Sequence, residues 1–150
     1  MDMYCIDTNI LIYVNDLESP YHQSACEIFY SLLERNVVCL HEIVLTEFFA
    51  IITDSRKMRT PWSTSQAKNY LKDLLGSVQE LHFLDMEIIS RACIDIEKYD
   101  IKRYNIYDYL IAYSMKCYGV EKIVTLNKND FERYDFIKEF ISPVKEMVRQ

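Results

Sequence analysis

Met-Tyr-Cys-Ile-Asp-Thr-Asn-Ile-Leu-Ile-Tyr, residues 3–13, is the segment that indicates the fold most clearly. Its first four residues are apolar and predict a buried strand that ends at Asp7. Thr8 and Asn9 are suited to capping a helix, and apolar residues with helical spacing follow at Ile10, Leu11, Val14 and Leu17. The segment therefore predicts a strand that passes directly into a helix, with a carboxylate at the junction.

Strands and helices alternate along the rest of the sequence. The apolar patterns predict further strands over 37–40, 81–84, 122–125 and 140–141. They predict helices over 21–34, 42–54, 63–75, 86–98 and 106–118, and a short helix at the C-terminus. Gly76 and Gly119 are expected to end two of these helices, and the helix over 42–54 is apolar almost all round, which predicts burial on more than one side. This order predicts an α/β fold with a parallel sheet covered on both faces.

Length and composition predict a single domain over residues 1–150. Half of the 150 residues are apolar, and two glycines and three prolines leave no room for a linker. The N-terminus has no basic segment before an apolar run, and no stretch is apolar enough for a membrane span, so we expect a soluble cytoplasmic protein. The cysteines lie singly in apolar segments, which predicts free thiols packed as small hydrophobic groups in a reducing compartment: Cys5, Cys26, Cys39, Cys93 and Cys117.

Polar side chains follow two of the predicted strands, and two more acids lie in apolar helices. Asp7 ends the first strand, and Asn127 and Asp130 follow the strand over 122–125. Glu47 and Asp108 lie in the helices over 42–54 and 106–118. In a parallel sheet the residues that follow the strands lie at the same edge, beyond the carboxyl ends of the strands, where ligands bind.

Each acid also has an ordinary structural interpretation. Asp7 could cap a helix, and Asp108 could complement a helix dipole. Glu47 could belong to a narrow polar stripe with Glu42 and Asp54, although a buried carboxylate is costly unless it is compensated. The joint pattern favours a cation site, because converging carboxylates repel one another unless a divalent ion neutralises them.

Oxygen ligands of this kind suit Mg²⁺ or Mn²⁺. Such an ion can activate water and stabilise charge on a phosphoryl oxygen, so hydrolysis of phosphodiester bonds fits best. The net charge of −6 argues only weakly against a nucleic-acid partner, because acids gathered around a cation change the local charge.

Four motifs in order resemble the PIN-domain family, and in particular its VapC-like toxins. They are Asp7-Thr-Asn-Ile-Leu-Ile-Tyr, Thr46-Glu47-Phe-Phe, Tyr107-Asp108-Tyr-Leu-Ile-Ala-Tyr and Thr125-Leu-Asn127-Lys-Asn-Asp130-Phe. Any one of these motifs is weak, but four at suitable separations cover nearly the whole chain. The resemblance implies a three-layer α/β/α sandwich with a parallel sheet of about five strands.

The resemblance also implies a function. Family members of this kind are Mg²⁺- or Mn²⁺-dependent ribonucleases that act on single-stranded RNA or RNA loops, and they are usually homodimers neutralised by a cognate antitoxin protein. Asp7, Glu47 and Asp108 match the family's core acids, and Thr8 or Asn9 would support the first. Many members have Asp at the fourth position, where this chain has Asn127. That departure favours one metal ion over two, with Asp130 as a further candidate ligand.

Residues outside the acidic centre are candidates for gripping RNA. The basic ones are Arg56, Lys57, Arg59, Lys102, Arg103 and Lys128, for each of which ordinary surface charge is the alternative. Tyrosines near Asp108 could stack on bases, namely Tyr99, Tyr104, Tyr107 and Tyr109. Helical spacing favours a core or dimer-interface position for Tyr109 and Tyr113. The three histidines have no spacing typical of a zinc site, and no catalytic role is predicted for them.

Two rival functions remain open at this point. An acidic pocket at parallel strand ends also serves receiver domains and aspartyl-phosphate phosphatases, although those usually pair a second acid with the first-strand Asp. The other rival is a PIN-like module that binds RNA or protein without cutting it, which Asn127 leaves open.

Overall fold

One sheet of five parallel strands forms the centre of the protein, whose computed structural model describes residues 2–144. The strand order is β3-β2-β1-β4-β5. The strands are β1 (Tyr4–Ile6), β2 (Val38–His41), β3 (Glu80–His82), β4 (Lys122–Val124) and β5 (Glu139–Ile141). β1 lies in the middle of the sheet and is wholly buried, because it has a neighbour on each edge and helices on each face.

Within residues 2–144, six helices cover the sheet and complete the predicted three-layer α/β/α sandwich. They are α1 (Thr8–Asn15), α2 (His22–Glu34), α3 (Glu42–Ile52), α4 (Thr64–Ser77), α5 (Met86–Asp95) and α6 (Asn105–Tyr118). α1 packs against α2 and α3, and α5 packs against α6. The strand order requires the connection from β3 to β4 to cross back over the sheet, and right-handed crossovers place α5 and α6 on the face opposite α1–α4. No helix in residues 2–144 is long and apolar enough to cross a membrane.

The start and end of α1 differ from the sequence prediction. Asp7, and neither Thr8 nor Asn9, is the capping residue, because its carboxylate accepts a hydrogen bond from the Thr8 amide. The helix ends at Asn15, so Leu17 lies beyond it and is 82% exposed. A helix cap needs extended backbone, which the residue at the end of a strand supplies.

α3 is buried on one side, so the expectation of burial on more than one side was wrong. Val44, Phe48 and Ile52 recur every fourth residue and form the buried stripe, whereas Phe49 and Ala50 are exposed. α3 therefore has apolar residues outside its buried stripe. The exposed ones, Phe49 and Ala50, belong to the protein surface and make no second contact with the core.

Other boundaries also shift. Gly76 lies within α4 and does not end it, since the helix continues to Ser77. α5 ends at Asp95, before the predicted 98, and β3 begins and ends before the predicted 81–84. Cys93 is exposed on α5, which contradicts the expectation that all five cysteines pack as small hydrophobic groups. The predicted C-terminal helix lies outside the described residues.

Two glycines provide a matched test of backbone geometry. Gly119 follows α6 with φ 75°, a left-handed conformation that an L side chain adopts at a cost, whereas Gly76 has helical geometry with no atom near its missing side chain. We expect Gly119→Ala to lower the free energy of unfolding by about 1 kcal/mol and Gly76→Ala to raise it by about 0.5 kcal/mol. Urea unfolding measures both, and equal effects of the two substitutions would contradict the assigned backbone conformations.

Candidate active site

The carboxyl edge of the sheet carries an acidic cavity of about 370 Å³. Asp7 reaches it from the end of β1, Glu47 from α3 and Asp108 from the first turn of α6. Asn127 and Asp130 reach it from the segment after β4. The structure thus brings together all five residues that the sequence placed in the site, and their catalytic and metal-binding roles stay predictions.

Asp7 is the most firmly held of these acids. Its Oδ1 accepts a hydrogen bond from the Thr8 amide at 2.8 Å. Its Oδ2 accepts one from Thr125 Oγ1 at 2.7 Å and one from Asn9 Nδ2 at 3.3 Å. The residue is 6% exposed, and burial raises the pKa of its carboxyl, which these three donors oppose. Asp7 is therefore fixed in one orientation before any ligand arrives.

Thr125 couples the ends of the two central strands. Its hydroxyl donates to Asp7 and accepts a hydrogen bond from the Asn127 amide at 2.9 Å. Asn9 adds a second link, since its Oδ1 accepts from the Leu126 amide at 3.4 Å. Sequence reasoning did not give Thr125 this role, although a Thr two residues before Asn127, directly after a strand, was a usable signal.

Glu47 and Thr8 each present a buried oxygen that has no partner among the described residues. The atoms are Glu47 Oε1 and Thr8 Oγ1, and both residues line the acidic cavity. Burial raises the pKa of Glu47, and the charge of Asp7 raises it further, while Lys57 and the neighbouring Thr8 hydroxyl oppose the shift. The Thr8 hydroxyl lies beside Glu47 without forming a well-aligned hydrogen bond, so this pair marks a position suited to a cation or an ordered water.

The pKa of Asp108 is raised into the neutral range. Burial and the charges of Asp7, Asp130 and Glu47 raise its pKa to about 7, and Arg133 opposes the shift. Asp108 therefore changes its proton occupancy near neutral pH, unlike an ordinary aspartate. Sequence reasoning missed Arg133, because a single arginine in a polar loop gives no pattern that separates it from surface charge.

The side of the cavity formed by Asn127 and Asp130 is the most exposed to solvent. Asn127 is exposed, and Asp130 is half-buried in a short 3₁₀ turn, Lys128–Asp130. The charge of Asp130 contributes to the raised pKa values of both Asp7 and Asp108, so it acts on the same site. Asp130 supplies the negative charge on this side of the cavity, while Asn127 contributes an uncharged amide.

The donor set fits a hard divalent cation. Carboxylate oxygens surround the cavity, one of them buried and unpartnered, and their mutual repulsion would be relieved by positive charge. Within residues 2–144, no three His, Cys, Asp or Glu side chains stand close enough to form a ready-made metal cluster. Mg²⁺ usually keeps several waters and binds through one or two carboxylates, so a loose arrangement of acids suits it.

The predicted RNA-gripping residues divide into two groups. Several basic side chains are engaged with acids on the surface, as in the pairs Arg56–Asp54 at 3.1 Å, Arg59–Glu18 at 3.9 Å and Lys102–Asp100 at 3.4 Å. Lys57 belongs to the second group, because its charge acts on the acidic site by lowering the pKa of Glu47. The tyrosines also divide, since Tyr104 and Tyr107 are exposed whereas Tyr109 and Tyr113 are core residues.

The histidines have structural contacts outside the lining of the acidic cavity. His41 Nδ1 accepts from the Ile43 amide and so caps α3, the helix that carries Glu47, while His41 Nε2 lies 2.9 Å from Ser114 Oγ. Burial lowers the pKa of His41 to about 4, so its ring is neutral at physiological pH. His82 stacks on Tyr118 with ring centroids 3.8 Å apart.

Sheet order, cavity position and acid arrangement together define a PIN domain. The family model with that description matches residues 4–137, so the chain belongs to the PIN domain family. It is 22% identical over 134 residues to the ribonuclease VapC24 of Mycobacterium tuberculosis, covering 89% of this chain and 92% of that one.

Solved structures share the fold. VapBC2 from Rickettsia felis, bound to a DNA fragment from its promoter, matches with a TM-score of 0.66 and 19% identity over 93% of this chain and 98% of that chain. A toxin–antitoxin complex from Klebsiella pneumoniae matches with a TM-score of 0.64 and 16% identity, covering 95% of this chain and 98% of that chain.

The raised pKa of Asp108 predicts a pH-dependent stability. The Asp108 carboxyl binds a proton more tightly in the folded protein than in the unfolded chain. Proton binding therefore stabilises the fold fully below about pH 4, and this stabilisation is lost as the pH rises through about 7. In EDTA, we expect Asp108→Asn to exceed the wild type in unfolding free energy by roughly 2 kcal/mol at pH 8 and to match it at pH 4. Asp73→Asn, at an exposed position on α4, is the control. Thermal unfolding across this pH range gives the comparison, and an Asp108→Asn protein no more stable than wild type at pH 8 would contradict the assigned repulsion.

Proposed function

We propose that the chain is a metal-dependent endoribonuclease that hydrolyses phosphodiester bonds of single-stranded RNA or RNA loops, as the toxin of a toxin–antitoxin pair. The observation that supports it most strongly is the convergence of Asp7, Glu47, Asp108 and Asp130 on one cavity at the carboxyl edge of the sheet. A PIN-domain relative named as a ribonuclease, matched over most of both chains, supports RNA as the substrate.

Asp7, Asp108 and Glu47 would hold Mg²⁺ or Mn²⁺, with Asp130 as a further ligand. The bound ion would lower the pKa of a water and stabilise charge on a phosphoryl oxygen. Asp7 suits the ligand role because three hydrogen bonds fix its orientation.

Proton transfer would fall to Glu47, whose pKa is raised by burial. Asp108, with a pKa of about 7 without a cation, would give up its proton when the ion binds. Glu47 would either complete the metal shell or take the proton from the attacking water at its unpartnered Oε1. Asn127 would donate a hydrogen bond to a ligand water or to substrate.

The neighbours of Asp7 argue against the phosphotransfer alternative. Receiver domains and aspartyl-phosphate phosphatases usually pair a second acid with the first-strand Asp, whereas Thr8 and Asn9 follow Asp7 and both donate to its carboxylate. The other acids of the cavity come from α3, α6 and the segment after β4.

The proposal includes a cytoplasmic homodimer that a cognate antitoxin neutralises. The toxin–antitoxin complex with the same fold supports the antitoxin partner. Exposed apolar side chains support protein contacts, and they include Phe83, Met86, Ile89 and Ile94 on and beside α5.

Substitution at the two ends of α1 tests the proposal. We expect Asp7→Asn to reduce Mn²⁺-dependent cleavage of RNA roughly a hundredfold or more, because it removes a charged ligand. Asp16→Asn, at the other end of the same helix, should cleave like the wild type. Gel analysis of single-stranded and structured RNAs, with Mn²⁺ and with EDTA, measures cleavage, and circular dichroism checks the fold.

Two results would overturn the proposal. Full activity in a folded Asp7→Asn protein would show that the acidic cavity does not carry the reaction. RNA binding by the wild type without cleavage in Mn²⁺ would instead identify a binding module.

A further inference from the structure

A second cavity, of about 280 Å³, lies beside α6 and combines lysines with aromatic rings. Its lining includes Lys98, Lys116 and Lys138, the rings of Tyr99 and Phe136, and two acids, Glu121 and Asp135. We name this group the lysine cavity. We propose that the lysine cavity binds the phosphates of single-stranded RNA at a distance from the acidic centre, and that Arg133 connects the two sites.

Lys98 and Lys116 are available for a ligand. Both are exposed, and neither forms an ion pair within the described part of the chain, in contrast to Lys102 and Lys122. Lys138 is also exposed, but its Nζ donates to the Asp135 carbonyl. Lys98 Nζ lies 5.1 Å from the centroid of the Tyr99 ring, and Lys116 Nζ lies 5.4 Å from that of Phe136. Aromatic faces hold these ammonium groups over the cavity without neutralising them.

The ring arrangement suits a nucleic-acid strand better than a small ion. Tyr99 and Phe136 are half-buried and nearly perpendicular, with centroids 6.3 Å apart. Proteins that bind single strands without reading their sequence combine cationic side chains along the backbone with aromatic rings. In the lysine cavity the ammonium groups lie over the rings, and lysines outnumber acids in the lining, so the expected contacts are between lysine and phosphate.

Arg133 bridges the two sites. Its Nη1 donates to the Tyr99 carbonyl at 3.5 Å, and its guanidinium lies 6.0 Å from the centroid of the Tyr134 ring. Tyr134 in turn stacks on Phe136, with centroids 5.7 Å apart. Arg133 also follows Asp130, which lines the acidic cavity, by three residues in the same segment after β4.

α6 sets the separation between the sites. Asp108 and Lys116 lie on this one helix, and a rise of 1.5 Å per residue puts them about 12 Å apart along its axis. A strand cut at the acidic centre can therefore reach the lysine cavity within a short oligonucleotide. This inference rests on the proposed function for the identity of the ligand.

Binding of RNAs of two lengths tests the inference. Fluorescence anisotropy in Mn²⁺ would compare labelled oligouridylates with phosphorothioate linkages that resist cleavage, a trinucleotide and a decanucleotide, on the full chain. We expect Lys98→Gln/Lys116→Gln to bind the decanucleotide roughly tenfold more weakly than the wild type and to bind the trinucleotide equally well. Its salt dependence should fall by about 0.7 in logarithmic slope for each lysine. Lys68→Gln/Lys72→Gln, with the same charge loss on exposed positions of α4, should bind both like the wild type.

The outcomes separate this inference from the proposed function. A wild type that binds neither RNA, and cleaves none in Mn²⁺, would overturn the proposed function. A wild type that binds and cleaves, with both double variants alike on the decanucleotide, would overturn the lysine cavity alone. Loss of binding to a glutamate-rich peptide in Lys98→Gln/Lys116→Gln, with unchanged RNA binding, would assign the cavity to an acidic protein segment and would also overturn the inference.

Discussion

The hydrogen bond from Thr125 Oγ1 to Asp7 Oδ2, 2.7 Å long, joins the segments that leave the two central strands. Asp7 is at once the residue after β1, the cap of α1 and a wall of the acidic cavity. Because one side chain fills these three positions, forming β1 and α1 also places the Asp7 carboxylate at the site. Thr125 extends the same constraint to Asn127 through the Asn127 amide.

Electrostatic repulsion is the cost of this arrangement. Burial and neighbouring charges raise the pKa values of Asp7, Glu47 and Asp108. Among the described residues, the charge of Lys57 opposes the shift of Glu47, and the charge of Arg133 opposes that of Asp108. Carboxylates gathered in this way destabilise the fold unless a ligand compensates for them. Their retention in one cavity is therefore best explained by function, and a cation bound there would stabilise the folded state.

The sequence predicted the sheet, the layers and the members of the acidic cavity. Strand-end and helix-start positions are local features, so Asp7 and Asp108 could be placed without coordinates. Side-chain contacts between segments that are distant in sequence could not be predicted in this way. The hydrogen bond from Arg133 to the Tyr99 carbonyl depends on how the loop after β4 folds back. The exposure of Phe49 depends on which face of α3 meets its neighbours. Helix ends were also misplaced where a cap lay outside the apolar pattern, as at Asp7.

Proton release on metal binding tests most directly whether the acidic cavity is built for a cation. A metal ion binds the ionised carboxylate, so at a pH below the raised pKa of Asp108 it must displace the proton. Calorimetric titration with Mn²⁺ in buffers of different ionisation enthalpy counts the protons released. We expect the wild type to release at least a fraction of one proton for each Mn²⁺ bound near pH 6, and close to none near pH 9. Mn²⁺ binding without proton release near pH 6, or no binding at either pH, would contradict this account.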